Sequence, residues 1–412
     1  MVPRTPRLNY FISPDKTPVR EDHPKWTIPI PLSRHQAGQP LDPTINVSFN
    51  HEDYFLAVGD YLKQNRCEIV TDMLSQYLQQ HVSLEEIIEI NINLEKHGEF
   101  YHPARIDIVL PGATIPFVLN VAVSESGKNS IQSEYKLLKK LNDDFPFSFV
   151  PKVYGQDRID AKHNLTLHMF IGEWLEGFNE FHISQDLQDQ KHKIVVWDPE
   201  KGHFFLTTEQ ALELYKQIAI ILTSYYNIET FEQIFPWHHA AGDFVVKLVN
   251  NQLDVKLISV RNYVALFKEN EVDERNRDAH FLMDALLVFF LNLSIRMRLD
   301  RLDGIGNIVW AENIAVKGTL QGFFEGLVLQ PPWEGLPETL NNCFQAHLLS
   351  LSRNDLLDLC YAMANSYNPK SPEVLVIKRN LNEHVNTLYE TIRDDDTGEE
   401  WKTLLYDTIF TP

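Results

Sequence analysis

The hydrophobic pattern changes period near Ile88, and the chain reorganises there. Before that point apolar residues recur at helical spacing. His51-Glu-Asp-Tyr-Phe-Leu-Ala-Val-Gly-Asp-Tyr-Leu62 carries one stripe, and Ile69, Val70, Met73, Leu74, Tyr77 and Leu78 carry a second. The spacing predicts a helical pair over 51–81, and Ser83-Leu-Glu-Glu86 has the side chains of a capping box. After Ile88 the period is two. Glu89-Ile-Asn-Ile-Asn-Leu-Glu95, Arg105-Ile-Asp-Ile-Val-Leu110 and Phe117-Val-Leu-Asn-Val-Ala-Val123 predict three antiparallel strands. Helical period returns over 129–141, where Ile131, Tyr135 and Leu138, with Leu137 or Leu141, form one stripe. Two further strands follow, Phe149–Gly155 and Leu165–Gly172.

Beyond Gly177 the pattern is mostly helical. An inserted strand pair is predicted within 182–205, around Lys193-Ile-Val-Val-Trp-Asp198 and His203-Phe-Phe-Leu206, with a turn at Pro199-Glu-Lys-Gly202. Thr207-Thr-Glu-Gln210 opens a long helix running to Tyr226. Next come the loop Phe235-Pro-Trp-His-His-Ala-Ala-Gly-Asp243 and a ribbon, Phe244–Val249 and Leu253–Ser259, turning at Asn250-Asn251-Gln252. A core helix is predicted over 278–298, another helical region begins at Gly318, and 335–412 reads as helices, with 380–393 amphipathic. Residues 1–45 are proline-rich and basic without either period, and read as an extended arm on the surface. The division is therefore an arm (1–45), a helical extension (46–87), a small β-rich part (88–177) and a larger helical part (178–412), an α+β chain without internal repeats.

Composition narrows the partners. The 412 residues are 44% hydrophobic and 23% charged, values of an ordinary globular chain. The formal charge of −20 and pI near 5.2 argue against nucleic acid or an anionic membrane, since both call for a basic footprint. Asp394-Asp-Asp-Thr-Gly-Glu-Glu400 reads as a solvated loop between helices. Three cysteines, Cys67, Cys343 and Cys360, fit no zinc spacing and suit a reducing compartment. Met1-Val-Pro-Arg-Thr-Pro-Arg7 has no apolar signal core, and the run from Phe281 to Ile295 is broken by Asp284 and Asn292. The expectation is a cytoplasmic protein with no membrane role.

The order of five antiparallel strands with a helix after the third, a linker at Glu173-Trp174-Leu175-Glu176-Gly177, then helix, polar loop and ribbon, resembles the protein-kinase-like fold. The nearest branch is that of the aminoglycoside phosphotransferases, whose catalytic loop usually reads His-Gly-Asp-Leu-His-Pro-Gly-Asn before a ribbon ending in Ile-Asp. The resemblance implies a two-lobed fold, a small five-stranded antiparallel lobe and a helical large lobe, with ATP, with or without magnesium, as cofactor. It covers roughly residues 88–330. It puts Asn120 in the place of the phosphate-binding lysine, Glu134 in that of its glutamate partner and Glu173, Trp174 and Leu175 on the adenine-binding linker. His238 then replaces the catalytic Asp, Asp243 the metal-binding Asn and Ser259 the second metal-binding Asp, with Arg261 two residues on. The phosphate-covering loop becomes Lys96–Pro103, which has one glycine.

Each of these positions has a plainer reading. His238 can act as a base near neutral pH, brace the loop or, least well, hold a metal; adjacent His239 points elsewhere. Asp243 can bind one magnesium ion or cap the turn. Arg261 can offset anionic charge or pair with an acidic neighbour, Glu134 can face solvent, and Lys128 reads as an exposed loop lysine. A phosphoryl-transfer site calls for several of these groups together, and four are altered. The sequence therefore points to a pseudokinase-type binding or regulatory module, with a nucleotide, another small ligand or a protein as its partner. The alternatives are an atypical phosphotransferase using His238 and Asp243, and a scaffold whose cleft is filled by its own side chains.

Overall fold

The computed structural model describes residues 5–31, 49–98, 100–162, 165–199, 201–239, 242–267 and 278–394. The fold is α+β, with eight α-helices and fifteen strands among the described residues. The chain divides into two compact units, Met1–Glu176 and Gly177–Pro412. Residues 32–48 of the arm, 273–277 and 395–400 of the acidic run lie outside the described residues.

In the first unit, strands β1 (Arg7–Ile12), β2 (Glu89–Leu94), β3 (Ala104–Leu110), β4 (Ala113–Ala122), β5 (Val153–Asp160) and β6 (Thr166–Glu173) form one sheet in the order β1-β2-β3-β4-β6-β5. The alternation at β2–β4 decides its faces. Ile90, Ile92, Ile106, Ile108, Phe117 and Leu119 are buried on one side, where they meet Tyr54, Phe55, Val58 and Leu62 of helix α1 (His51–Leu78). Helix α2 (Glu125–Asp144) covers part of the other side through Tyr135 against Phe170, ring centroids 6.0 Å apart. The helical pair expected over 51–81 is present within α1 as two helices that meet at a kink, Gln64–Cys67, where Asn65, Arg66 and Cys67 take positive φ.

The five-stranded antiparallel sheet expected here has a sixth strand. β1 pairs in parallel with β2, Asn9 opposite Asn91. The described part of the arm, residues 5–31, is thus built into the sheet and core rather than laid on the surface. Leu8, Tyr10 and Ile12 alternate, Trp26 stacks on Phe55 at 5.8 Å, and Val19, Trp26 and Ile30 are buried with the core. Prolines and basic residues mask this short apolar alternation, because a partner strand 82 residues away leaves no local signal.

The second unit begins with a three-stranded antiparallel sheet, β7 (Phe181–Gln185), β8 (His192–Asp198) and β9 (Gly202–Phe205), one strand more than the sequence suggested. Helix α3 (Thr208–Ser224) starts at the Thr207 capping box. The pairs β10 (Glu232–Ile234) with β13 (Tyr263–Ala265) and β11 (Phe244–Val249) with β12 (Gln252–Leu257) follow. Then come α4 (Ala279–Met297), the pair β14 (Leu299–Arg301) with β15 (Ile308–Trp310), and α5 (Ile314–Val328), α6 (Leu340–Ser350), α7 (Arg353–Ser366) and α8 (Pro372–Arg393). This part is therefore less helical than expected, because three-residue strands are too short to show a period. α4 is long and apolar enough to cross a membrane by composition, but 72% of that window is buried inside the protein, as in a core helix.

α3 and α5 meet backbone to backbone. Gly318, Gly322 and Gly326 recur every four residues on α5, so they share one face. A Cβ on Gly322 would lie 2.0 Å from the Lys216 carbonyl oxygen, one on Gly318 2.7 Å from that of Leu212, and one on Gly326 2.6 Å from the Thr223 Cβ. Alanine favours an isolated helix over glycine by about 1 kcal/mol. Here the sign reverses: Gly322→Ala is expected to destabilise by about 3 kcal/mol or more through overpacking, read as the loss in a urea unfolding titration. Unchanged stability would mean the two helices pack farther apart than described.

Candidate functional site

The loop from Phe235 to Asp243 leaves the short strand β10, not the helix directly as the sequence suggested. β10 pairs antiparallel with β13, Ile234 opposite Tyr263, and the Phe235 N–H donates to the Asn262 carbonyl at 3.2 Å. This pairing carries Arg261 back beside the loop, 18 residues after Asp243. Gly242 completes the turn at φ +67°, its N–H donating to the His239 carbonyl at 3.0 Å. β11 then continues to β12 through Asn250 and Asn251, both left-handed, a two-residue turn that suits the twist of a hairpin.

Asp243 is the centre of this arrangement. It is 1% exposed. One carboxylate oxygen accepts the His238 backbone N–H at 2.8 Å, and Arg261 donates Nη2 at 3.0 Å and Nε at 3.3 Å. Burial pushes the carboxyl up from its usual range, and the Arg261 guanidinium and the His238 N–H oppose that. Both roles proposed for a turn cap and a charge partner are thus visible. With a guanidinium already on it, this carboxylate is poorly disposed to take magnesium as well, and no group of three or more His, Cys, Asp or Glu side chains suited to a metal occurs among the described residues.

The two histidines part company, as adjacent residues in an extended loop do. His239 is buried among the rings of Phe181, Tyr215, Trp237 and Phe244, with centroids 5.5–6.4 Å away. Burial pulls its pKa down to about 3, so it is neutral and braces the loop. His238 keeps 37% of its side chain exposed and sets Nδ1 3.9 Å from the Glu373 carboxylate at the start of α8. Burial lowers its pKa, and Glu373 and Asp243 push the other way. Glu373 also accepts from Arg296 Nη1 at 3.1 Å, and that guanidinium lies against the rings of Phe235 and Tyr367. Glu373 and Arg296 escaped the sequence reading. They lie on helices 58 or more residues away, with no motif to flag them. Ser259 follows β12, half-buried.

In the first unit, Asn120 lies on β4 opposite Phe170 of β6, on the sheet face away from α1. Glu134 does not face solvent: it is 5% exposed on α2, and its carboxylate accepts the Tyr101 hydroxyl. Lys128 is not a loop lysine either. It sits in the first turn of α2, 14% exposed, paired with Glu125 at 2.6 Å. The Lys96–Pro103 loop is folded inward. The Phe100 carbonyl oxygen would lie 2.1 Å from a Cβ on Gly127, His97 and His102 meet through their Nδ1 atoms at 3.1 Å, and the His102 N–H bonds the Val121 carbonyl. On the linker, Arg105 from β3 covers the half-buried Trp174 ring at 5.3 Å and reaches Glu176 at 3.5 Å, while the Glu173 carboxylate accepts the Lys152 N–H. Leu175 is half-buried. Asn120, Glu134, Glu173, Trp174 and Leu175 thus belong to the first unit, and His238, Asp243 and Arg261 form a contiguous group in the second.

No protein-family model and no curated protein matches this chain.

Two measurements check this geometry. Arg261→Met leaves a buried carboxylate without its cation and is expected to cost about 3 kcal/mol. Asp243→Asn keeps a carbonyl for the His238 N–H and is expected to cost less, with the double variant recovering part of the Arg261→Met loss in a double-mutant cycle. Equal costs would argue against the ion pair. His102, His239 and His384 all have folded pKa values near 3, below the unfolded value of 6.5. The unfolded state therefore takes up protons first, and stability present above pH 6.5 falls as pH drops from 6.5 towards 3, by roughly 1.4 kcal/mol per histidine per pH unit. His239→Leu is expected to make the acid limb of the unfolding midpoint shallower; an unchanged slope would place that histidine in water.

Proposed function

We propose that the chain is a kinase-like, catalytically silent binding module. The observation that carries this reading is the buried Asp243–Arg261 pair: an internal guanidinium occupies the carboxylate that the kinase-like frame assigns to magnesium. Phosphoryl transfer depends on metal and lysine charge laid along the phosphates. Here Asn120 brings no charge, Lys128 is paired with Glu125, and the loop that would cover phosphates is folded onto α2. Arg105 over Trp174 further fills the sheet face next to the linker.

An atypical phosphotransferase is the second reading, and one observation favours it. His238, partly exposed and near the Glu373 carboxylate, has the layout of a general base with an orienting acid. A thermal-shift titration with ATP, with and without magnesium, separates the two. A ligand at a hundred times its Kd raises stability by about 2.7 kcal/mol. The binding-module reading expects no magnesium-dependent shift and no ATP turnover. A magnesium-dependent shift lost in Asp243→Asn, with turnover lost in His238→Ala, would overturn it in favour of the enzyme.

A further inference from the structure

We draw no further inference here: the strongest candidate, the His97–His102 pair in the loop between β2 and β3, has its two Nδ1 atoms 3.1 Å apart and already bonded to each other, and no third side chain joins them in a group suited to a metal among the described residues.

Discussion

The backbone contact between α3 and α5 is the constraint on which the second unit depends. Glycines at 318, 322 and 326 remove every Cβ from one face of α5, so α3 can lie directly against its carbonyls and side-chain roots. With α3 fixed in this way, the strand β10 and the loop that follows it start from a rigid base. The large side chains that flank the stripe then pack outward: Phe323 meets Phe290 at 4.8 Å and Phe344 at 5.1 Å, which joins α4 and α6 to the same core. The aromatic box around His239 draws Tyr215 from α3, so the loop is braced by the helix that precedes β10.

Charge in the loop is handled by internal pairing. Asp243 has a guanidinium and a peptide N–H, and Arg296 has Glu373 and two aromatic faces. A buried carboxylate of this kind costs several kcal/mol of desolvation, which its partners largely offset. Such a pair contributes geometry more than net stability. It holds His238 at the surface end of the loop, where its imidazole stays partly in water.

Much of this was legible in the sequence. The helices around Leu138 and Leu222, the strands β2–β4 and the β11–β12 ribbon announce themselves through long runs of one period. The capping box at Thr207 appears as read. What was not legible is what depends on distant partners. β1 is six residues long and needs β2 to exist, β10 and β13 are three residues each, and no local rule leads from His238 to Glu373 or from Trp174 to Arg105. The inward fold of Lys96–Pro103 was hidden for a different reason: its anchors, Tyr101 on Glu134 and Gly127 under Phe100, are single contacts with no periodicity. Lys128 reads as an exposed loop lysine and Glu134 is left between a ligand-facing and a solvent-facing place, because helical pattern reports which face is apolar, not which polar residue a neighbouring loop will cover.

The parallel pairing of β1 with β2 carries a consequence for how the chain leaves the ribosome. β1 is made some eighty residues before its partner, and α1, which packs on the same core, is made in between. A long sequence separation of this kind slows closure. Until it closes, β2 offers an edge of unpaired backbone N–H and C=O groups, and after it closes that edge is β1, itself bridged by Val19 through Tyr10. In the folded chain β1 therefore covers the edge that β2 would otherwise present.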